Sequence, residues 1–197
     1  MNKGELTRSN IIEKAAALFN SRGFAGTSLS DLMEYTGLKK GGIYNHFKSK
    51  EEILIEAFDF AVKGVEQKIT DAVKTETTQI GKLKKIIEFF RDYPVNPVVK
   101  GGCPILNSIV YADNTLPQLK QRVRHVVDHL MGTFETLVAA GIKAKEVKRT
   151  VDPKKTAILI LSTLEGGVAI SRNSETREYM DVVIDHLIDY IDNKLMR

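Results

Sequence analysis

Apolar residues recur every three or four positions along most of the chain, the spacing that puts them on one face of an α-helix. The alternation of apolar and polar residues that marks a half-buried strand never persists for more than a few positions. In the first predicted helix, at about residues 7 to 21, Ile11, Ala15, Leu18 and Phe19 share one face, and Gly23 follows as a helix-ending residue. The pattern therefore predicts an all-α fold.

Glycine, proline and capping residues divide this pattern into about nine helices. Ser28 stands three residues before Asp31, and Ser49 three before Glu52, which is the capping-box spacing at the start of a helix. The other eight helices are predicted at residues 28–36, 39–47, 49–75, 80–93, 103–112, 116–140, 153–171 and 175–196. The clearest change of character lies near residue 50, so we predict an N-terminal domain of residues 1–50 and a second domain of residues 51–197.

The composition, with 43% hydrophobic and 27% charged residues among 197, is typical of a soluble globular protein. The longest uncharged stretch, residues 101–112, is too short to cross a membrane, and the first residues carry no signal-peptide pattern. We therefore expect a cytoplasmic protein. The single cysteine excludes an internal disulfide and a multi-cysteine metal site.

The excess positive charge lies in the first quarter of the chain. Residues 1–50 contain eight Lys or Arg and four acidic residues, whereas the other 147 residues contain 21 of each sign. A basic segment on a neutral body favours contact between that segment and a polyanion.

Two short predicted helices joined at Gly37 lie in this basic segment, and the second begins with the pair Lys39 and Lys40. This is the layout of a helix-turn-helix, whose second helix enters the major groove of DNA. If Ile43 and Phe47 face inward, the remaining residues face outward: Lys40, Gly41, Gly42, Tyr44, Asn45 and His46. On the residues alone, a three-helix cap in which the glycines loosen a loop is the alternative.

Three strings in the same region resemble the amino-terminal DNA-binding domain of the TetR (tetracycline repressor) family of bacterial transcriptional regulators. They are Thr27-Ser-Leu-Ser-Asp-Leu32, Thr36-Gly-Leu38 and Lys40-Gly-Gly-Ile-Tyr-Asn-His-Phe-Lys-Ser-Lys-Glu51, and the close match covers about residues 7 to 60. The resemblance implies that residues 28–47 read the DNA and that Lys50 grips a phosphate. It also implies contacts to phosphates or groove edges from Thr27, Ser28, Tyr44, His46 and Lys48. With the outward residues, the candidate DNA-binding set is Thr27, Ser28, Lys39, Lys40, Gly41, Gly42, Tyr44, Asn45, His46, Lys48 and Lys50.

For residues 51–197 the resemblance implies a ligand cavity and a dimer interface. The last two predicted helices carry apolar stripes that can pair with a second copy in a four-helix bundle, or can face the core of their own domain. The interface candidates are Leu161, Leu164, Val168, Val183, Leu187 and Ile191. Phe89, Tyr111 and Phe134 are candidate cavity residues, although helical aromatics more often belong to a core.

Cys103 follows two glycines at the predicted start of a helix, where backbone N–H groups favour the thiolate. It is either a sensing thiol or a buried, inert residue. His125 and His129 are four residues apart on one predicted helix, but no third ligand has a motif-like spacing, so we predict no metal site.

Together these features predict a homodimeric transcriptional regulator without enzymatic activity, cofactor or membrane partner. It is predicted to repress transcription from a palindromic operator in double-stranded DNA until a small-molecule effector releases it. Two alternatives stay open: a thiol redox or electrophile sensor acting through Cys103, and a helical protein-docking or enzymatic module that does not bind DNA.

Overall fold

The computed structural model describes residues 2–112 and 116–197, apart from the side chain of Val110. In these ranges the chain forms nine α-helices and a final π-helical turn, without a β-strand, and the predicted all-α class is confirmed. The helices are α1 Lys3–Arg22, α2 Leu29–Thr36, α3 Lys40–Tyr44, α4 Lys50–Val73, α5 Gln79–Phe89, α6 Pro104–Tyr111, α7 Pro117–Lys143, α8 Pro153–Asn173 and α9 Glu178–Tyr190. The π-helical turn is Ile191–Leu195. None of the described helices is long and apolar enough to cross a membrane.

Some predicted helix boundaries are wrong at the N-terminal end of the chain. Helix α1 begins at Lys3 rather than near residue 7, because Asn2 and Glu5 form a reciprocal capping box. Helix α3 ends at Tyr44 rather than at residue 47, since the His46 N–H bonds the Ile43 carbonyl at 3.0 Å and tightens the last turn.

Later boundaries differ as well: α5 ends at Phe89 rather than at residue 93, and α9 at Tyr190 rather than at residue 196. Helix α7 continues through Gly141, which packs so closely on Val147 that an added Cβ would lie 2.8 Å from its Cγ2. This glycine therefore serves close packing inside a helix instead of ending one. Helix α9 starts at Glu178 rather than at residue 175, because Glu175 has a φ of 50°, outside the helical region.

The chain divides into two compact units, Met1–Glu66 with Val98–Arg124, and Gln67–Pro97 with His125–Arg197. In the first unit α1 packs against α2, and α2 against α3. The residues that fill this core are fully or almost fully buried: Ile11, Ala15, Phe19, Leu32, Ile43, Phe47 and Ile53. The turn between α2 and α3 depends on Gly37, whose φ of 73° is the left-handed conformation that glycine adopts without strain.

In the second unit α8 packs on α9, and α5 on α9. Gly167 allows the close approach of α8 and α9, since an added Cβ would lie 2.9 Å from the sulfur of Met180. Five of the six predicted interface residues fill this core and are at most 7% exposed: Leu161, Leu164, Val168, Leu187 and Ile191. The apolar stripes of the last two helices were expected either to pair with a second copy or to face their own core. For these five residues, packing in their own core is observed. Val183 is half-buried.

The burial of Phe47 gives the first testable prediction. Phe47→Ala should lower the free energy of unfolding by about 3–5 kcal/mol, because the ring is 2% exposed and its loss leaves a cavity. Tyr44→Ala removes a ring at the surface of the same short segment and should cost about 0.5 kcal/mol or less. Urea unfolding followed by far-ultraviolet circular dichroism measures both, and equal losses would contradict the assigned core.

Candidate nucleic-acid interface

Helix α3 presents its polar side to solvent because Ile43, on its other side, is fully buried. Around this buried anchor, six of the sequence-predicted residues are exposed and form what we call the recognition face: Lys39, Lys40, Gly41, Tyr44, Asn45 and Lys48. Gly42 and His46 are half-buried. An added Cβ on Gly41 would meet no atom within 4 Å, so the bare backbone is open to a close-approaching ligand.

Ser28, another sequence-predicted contact, is the N-cap of α2 and forms a capping box with Asp31. The hydroxyl and the N–H of Ser28 both donate to the Asp31 carboxylate and hold the pKa of Asp31 below its ordinary value. Arg22 forms an ion pair with this carboxylate at 3.0 Å. The negative charge of Asp31 at the start of α2 is therefore partly balanced by Arg22.

Two sequence-predicted contacts have internal partners. The Thr27 side chain is fully buried, and its hydroxyl donates to the Gly23 carbonyl at 2.7 Å. The Lys50 ammonium donates to the carbonyls of Phe24 and Thr27, at 2.8 and 2.5 Å, and lies 4.0 Å from the centre of the Phe24 ring. Partial burial lowers the pKa of Lys50 below its ordinary value. Both residues therefore bind the segment between α1 and α2; Thr27 is fully buried, and Lys50 is half-buried.

Arg8 supports this region from behind, and no sequence motif indicated it. Its guanidinium lies 4.7 Å from the centre of the Phe47 ring and forms an ion pair with Glu56. These contacts connect α1 with α4 and cover the ring that anchors the recognition face. No local spacing signals them, because the ion-paired residues are 48 positions apart.

The four candidate sensing residues do not form one site. Cys103 is 4% exposed and caps α6, where its sulfur accepts from the Leu106 N–H at 3.5 Å. Tyr111, in the same unit, lines a narrow and mainly apolar cavity with Phe19, Phe24 and Phe58. This cavity leaves room for little more than one water molecule. Phe89 and Phe134 belong to the other unit.

His125 and His129 are both exposed on α7. Within residues 2–112 and 116–197, no three side chains of His, Cys, Asp or Glu are grouped so that they could hold a metal ion.

Comparison with known proteins agrees with this geometry. A family model described as bacterial regulatory proteins of the tetR family matches residues 11–57, and one described as a tetracyclin repressor-like C-terminal domain matches residues 80–187. The chain belongs to the TetR family. It is thus a transcriptional regulator with a DNA-binding N-terminal domain, and this part of the prediction from sequence is confirmed. The members of the family are regulatory transcription factors.

Three similar proteins illustrate the relation. A TetR transcriptional regulator from Chloroflexus aurantiacus is 40% identical, with a TM-score of 0.96 and coverage of 100% of this chain and 99% of that one. The HTH-type transcriptional repressor DhaR from Mycobacterium sp. strain GP1 is 22% identical over 94% of each chain. A cysteine mutant of the TetR regulator CifR, solved with a 26-bp double-strand operator, is 16% identical, with a TM-score of 0.80 and coverage of 92% of this chain and 94% of that one. At that identity the likeness to CifR is one of fold.

Lys48 and Lys50 provide a matched test of which lysine contacts DNA. Lys48→Ala should weaken binding to any duplex and reduce the slope of log affinity against log salt by about 0.9, the loss of one phosphate contact, without changing the urea midpoint. Lys50→Ala should instead lower the free energy of unfolding by about 1–3 kcal/mol, because two carbonyls lose a charged donor.

Fluorescence anisotropy with a labelled duplex over a salt series, together with urea unfolding, measures both effects. A reduced salt slope and an unchanged stability in Lys50→Ala would show that Lys50 contacts a phosphate and would contradict its internal role.

Proposed function

We propose that this TetR-family regulator is a homodimeric repressor that binds a palindromic operator in bacterial chromosomal DNA and is released from it by a small molecule. The observation that carries the proposal is the recognition face, which is basic and exposed. The helix that presents it, α3, is fixed to the core by the buried side chain of Ile43. An exposed helix of this kind fits the major groove, where base edges are distinguishable. Since the ligand is chromosomal DNA, the protein would act in the cytoplasm.

The proposed contacts fall into two classes. Lys39, Lys40 and Lys48 are flexible, exposed cations suited to phosphates, which fix the register of the protein on the duplex. Tyr44, Asn45 and His46 carry donors and acceptors that can meet base edges. Gly41 and Gly42 allow the backbone of α3 to approach the groove closely, and Ser28 faces the phosphates from the start of α2. We assign Thr27 and Lys50 to holding the helix-turn-helix in place rather than to contacting DNA.

The proposed dimer surface is the edge of α8 and α9 opposite their shared core. Ile158, Ser162, Gly166 and Ile170 follow one another at intervals of four on α8, and all are exposed. On α9 the most exposed apolar residue is Val182, at 66%. Exposed isoleucine and valine side chains on these two helices support an interface here, since apolar surface is unfavourable in water. Gly166, whose added Cβ would meet nothing, would permit close helix approach.

The apolar cavity beside Tyr111 supports a neutral, apolar effector. Three phenylalanine rings contribute to its lining, so the apolar surface of a bound molecule would be removed from water without the loss of hydrogen bonds. The cavity is narrow, and a bound effector must therefore displace a side chain. Tyr111 is the candidate for this movement, because its ring is 43% exposed at the surface of α6.

The decisive experiment selects duplexes bound by the full chain from a random pool and measures the mass of the free protein by light scattering. The selected sequences should contain an inverted repeat, as a two-fold symmetric dimer requires. Val182→Glu should release monomers and abolish binding to the repeat, because a charge would be buried in the interface. Val95→Glu is the matched control, since this valine is also exposed, at 46%, but lies outside α8 and α9.

A parent protein that is monomeric at micromolar concentration, or a selected sequence with one half-site, would contradict the dimer. Failure to select any sequence would contradict specific DNA binding.

A further inference from the structure

Two asparagine side chains join the last turn of α1 to α6 and the loop before it. The Asn20 amide nitrogen donates to the carbonyls of Val99, Lys100 and Gly102, at 3.5, 3.2 and 2.8 Å. The Asn107 amide nitrogen donates in the other direction, to the backbone and side-chain oxygens of Asn20, both at 2.9 Å, and to the Gly101 carbonyl at 2.8 Å. We call Asn20, Asn107 and the backbone of residues 99–102 the asparagine clasp.

The clasp needs direct contact between the loop backbone and α1. Gly101 has a φ of 105°, and an added Cβ would lie 2.5 Å from the carbonyl carbon and oxygen of Asn20. Any side chain at position 101 would therefore push the loop away from the helix. The other end of α6 is held equally closely, since an added Cβ on Gly23 would lie 2.5 Å from the ring of Tyr111. Helix α6 thus contacts the end of α1 through both its first and its last turn.

From Gly23, hydrogen bonds continue to the start of α2. Gly23 is the C-cap of α1, and its carbonyl accepts from the Thr27 hydroxyl. Thr27 immediately precedes Ser28, which caps α2, and the Thr27 carbonyl accepts from the Lys50 ammonium at 2.5 Å. A shift of α6 would therefore act on Gly23 and, through these bonds, on the start of α2.

We propose that Asn20 and Asn107 are positioning residues that couple the place of α6 to the orientation of α2 and α3. The inference rests on the proposed function, because its consequence is a change in operator affinity. Both side chains also line the narrow cavity beside Tyr111, so a molecule that enters the cavity would contact the clasp as well as Tyr111. An amide is required at both positions: each nitrogen donates, and the Asn20 oxygen accepts.

The test compares Asn20→Ala, Asn107→Ala and the double variant with the parent, all as the full chain, on the selected operator. Each single substitution should weaken operator binding about tenfold, within the range of ordinary coupling between sites. The double variant should be no weaker than either single variant, because each substitution opens the same clasp. Asn96→Ala, at an exposed asparagine in the other unit, is the matched control and should bind like the parent.

Hydrogen–deuterium exchange separates coupling from simple loss of stability. In Asn107→Ala, exchange should rise in the peptides covering residues 24–47, although the substitution lies in α6, and the overall helix content should not change. If Asn107→Ala does not fold, Asn107→Ser, which retains one donor, takes its place with the same expected direction.

Equal operator affinity and equal exchange of residues 24–47 in the parent and the folded variants would overturn the coupling and leave the proposed repressor intact. Additive losses in the double variant would also overturn the coupling. A parent that binds no duplex specifically would overturn both.

Discussion

The burial of Ile43 and Phe47 is the constraint on which the recognition face depends. Helix α3 has only five residues, whereas an isolated helix in water needs about 12–15 residues to be stable. Two of the five residues are glycines, which disfavour a helix further. Local propensity therefore does not form it. Two apolar side chains, inserted into the core beside Leu32, fix both the existence of the helix and the side that it turns to solvent.

Within a short stretch of chain, some residues hold the motif in place and others remain free to contact DNA. Lys48 and Lys50 are two residues apart and chemically identical, yet Lys48 is exposed, whereas the ammonium of Lys50 is held by two carbonyls and an aromatic ring. Partial burial disfavours the Lys50 charge and lowers its pKa, and the charge of Asp31 offsets only part of this effect. A lysine used in this way supports the turn, and the exposed lysines remain available to phosphates.

Much of this fold could be predicted from local signals. The apolar period predicted the all-α class, the Ser28 capping box predicted α2, and Gly37 predicted the turn. The Asn2 and Glu5 capping box was equally local and was missed, because the first apolar residues of α1 come later. Periodicity could not predict which side of α8 and α9 faces the core, since each helix has two apolar edges. The asparagine clasp joins residues 87 positions apart, and no spacing rule reaches that far.

The most direct test of the account is the ratio of affinities for the selected operator and for a random duplex, measured by anisotropy at one salt concentration. The parent should prefer the operator strongly. In a Tyr44→Ala, His46→Ala double variant the ratio should fall towards one while affinity for the random duplex persists, because base contacts specify and phosphate contacts only position. An unchanged ratio in a folded double variant would contradict reading of the operator by α3.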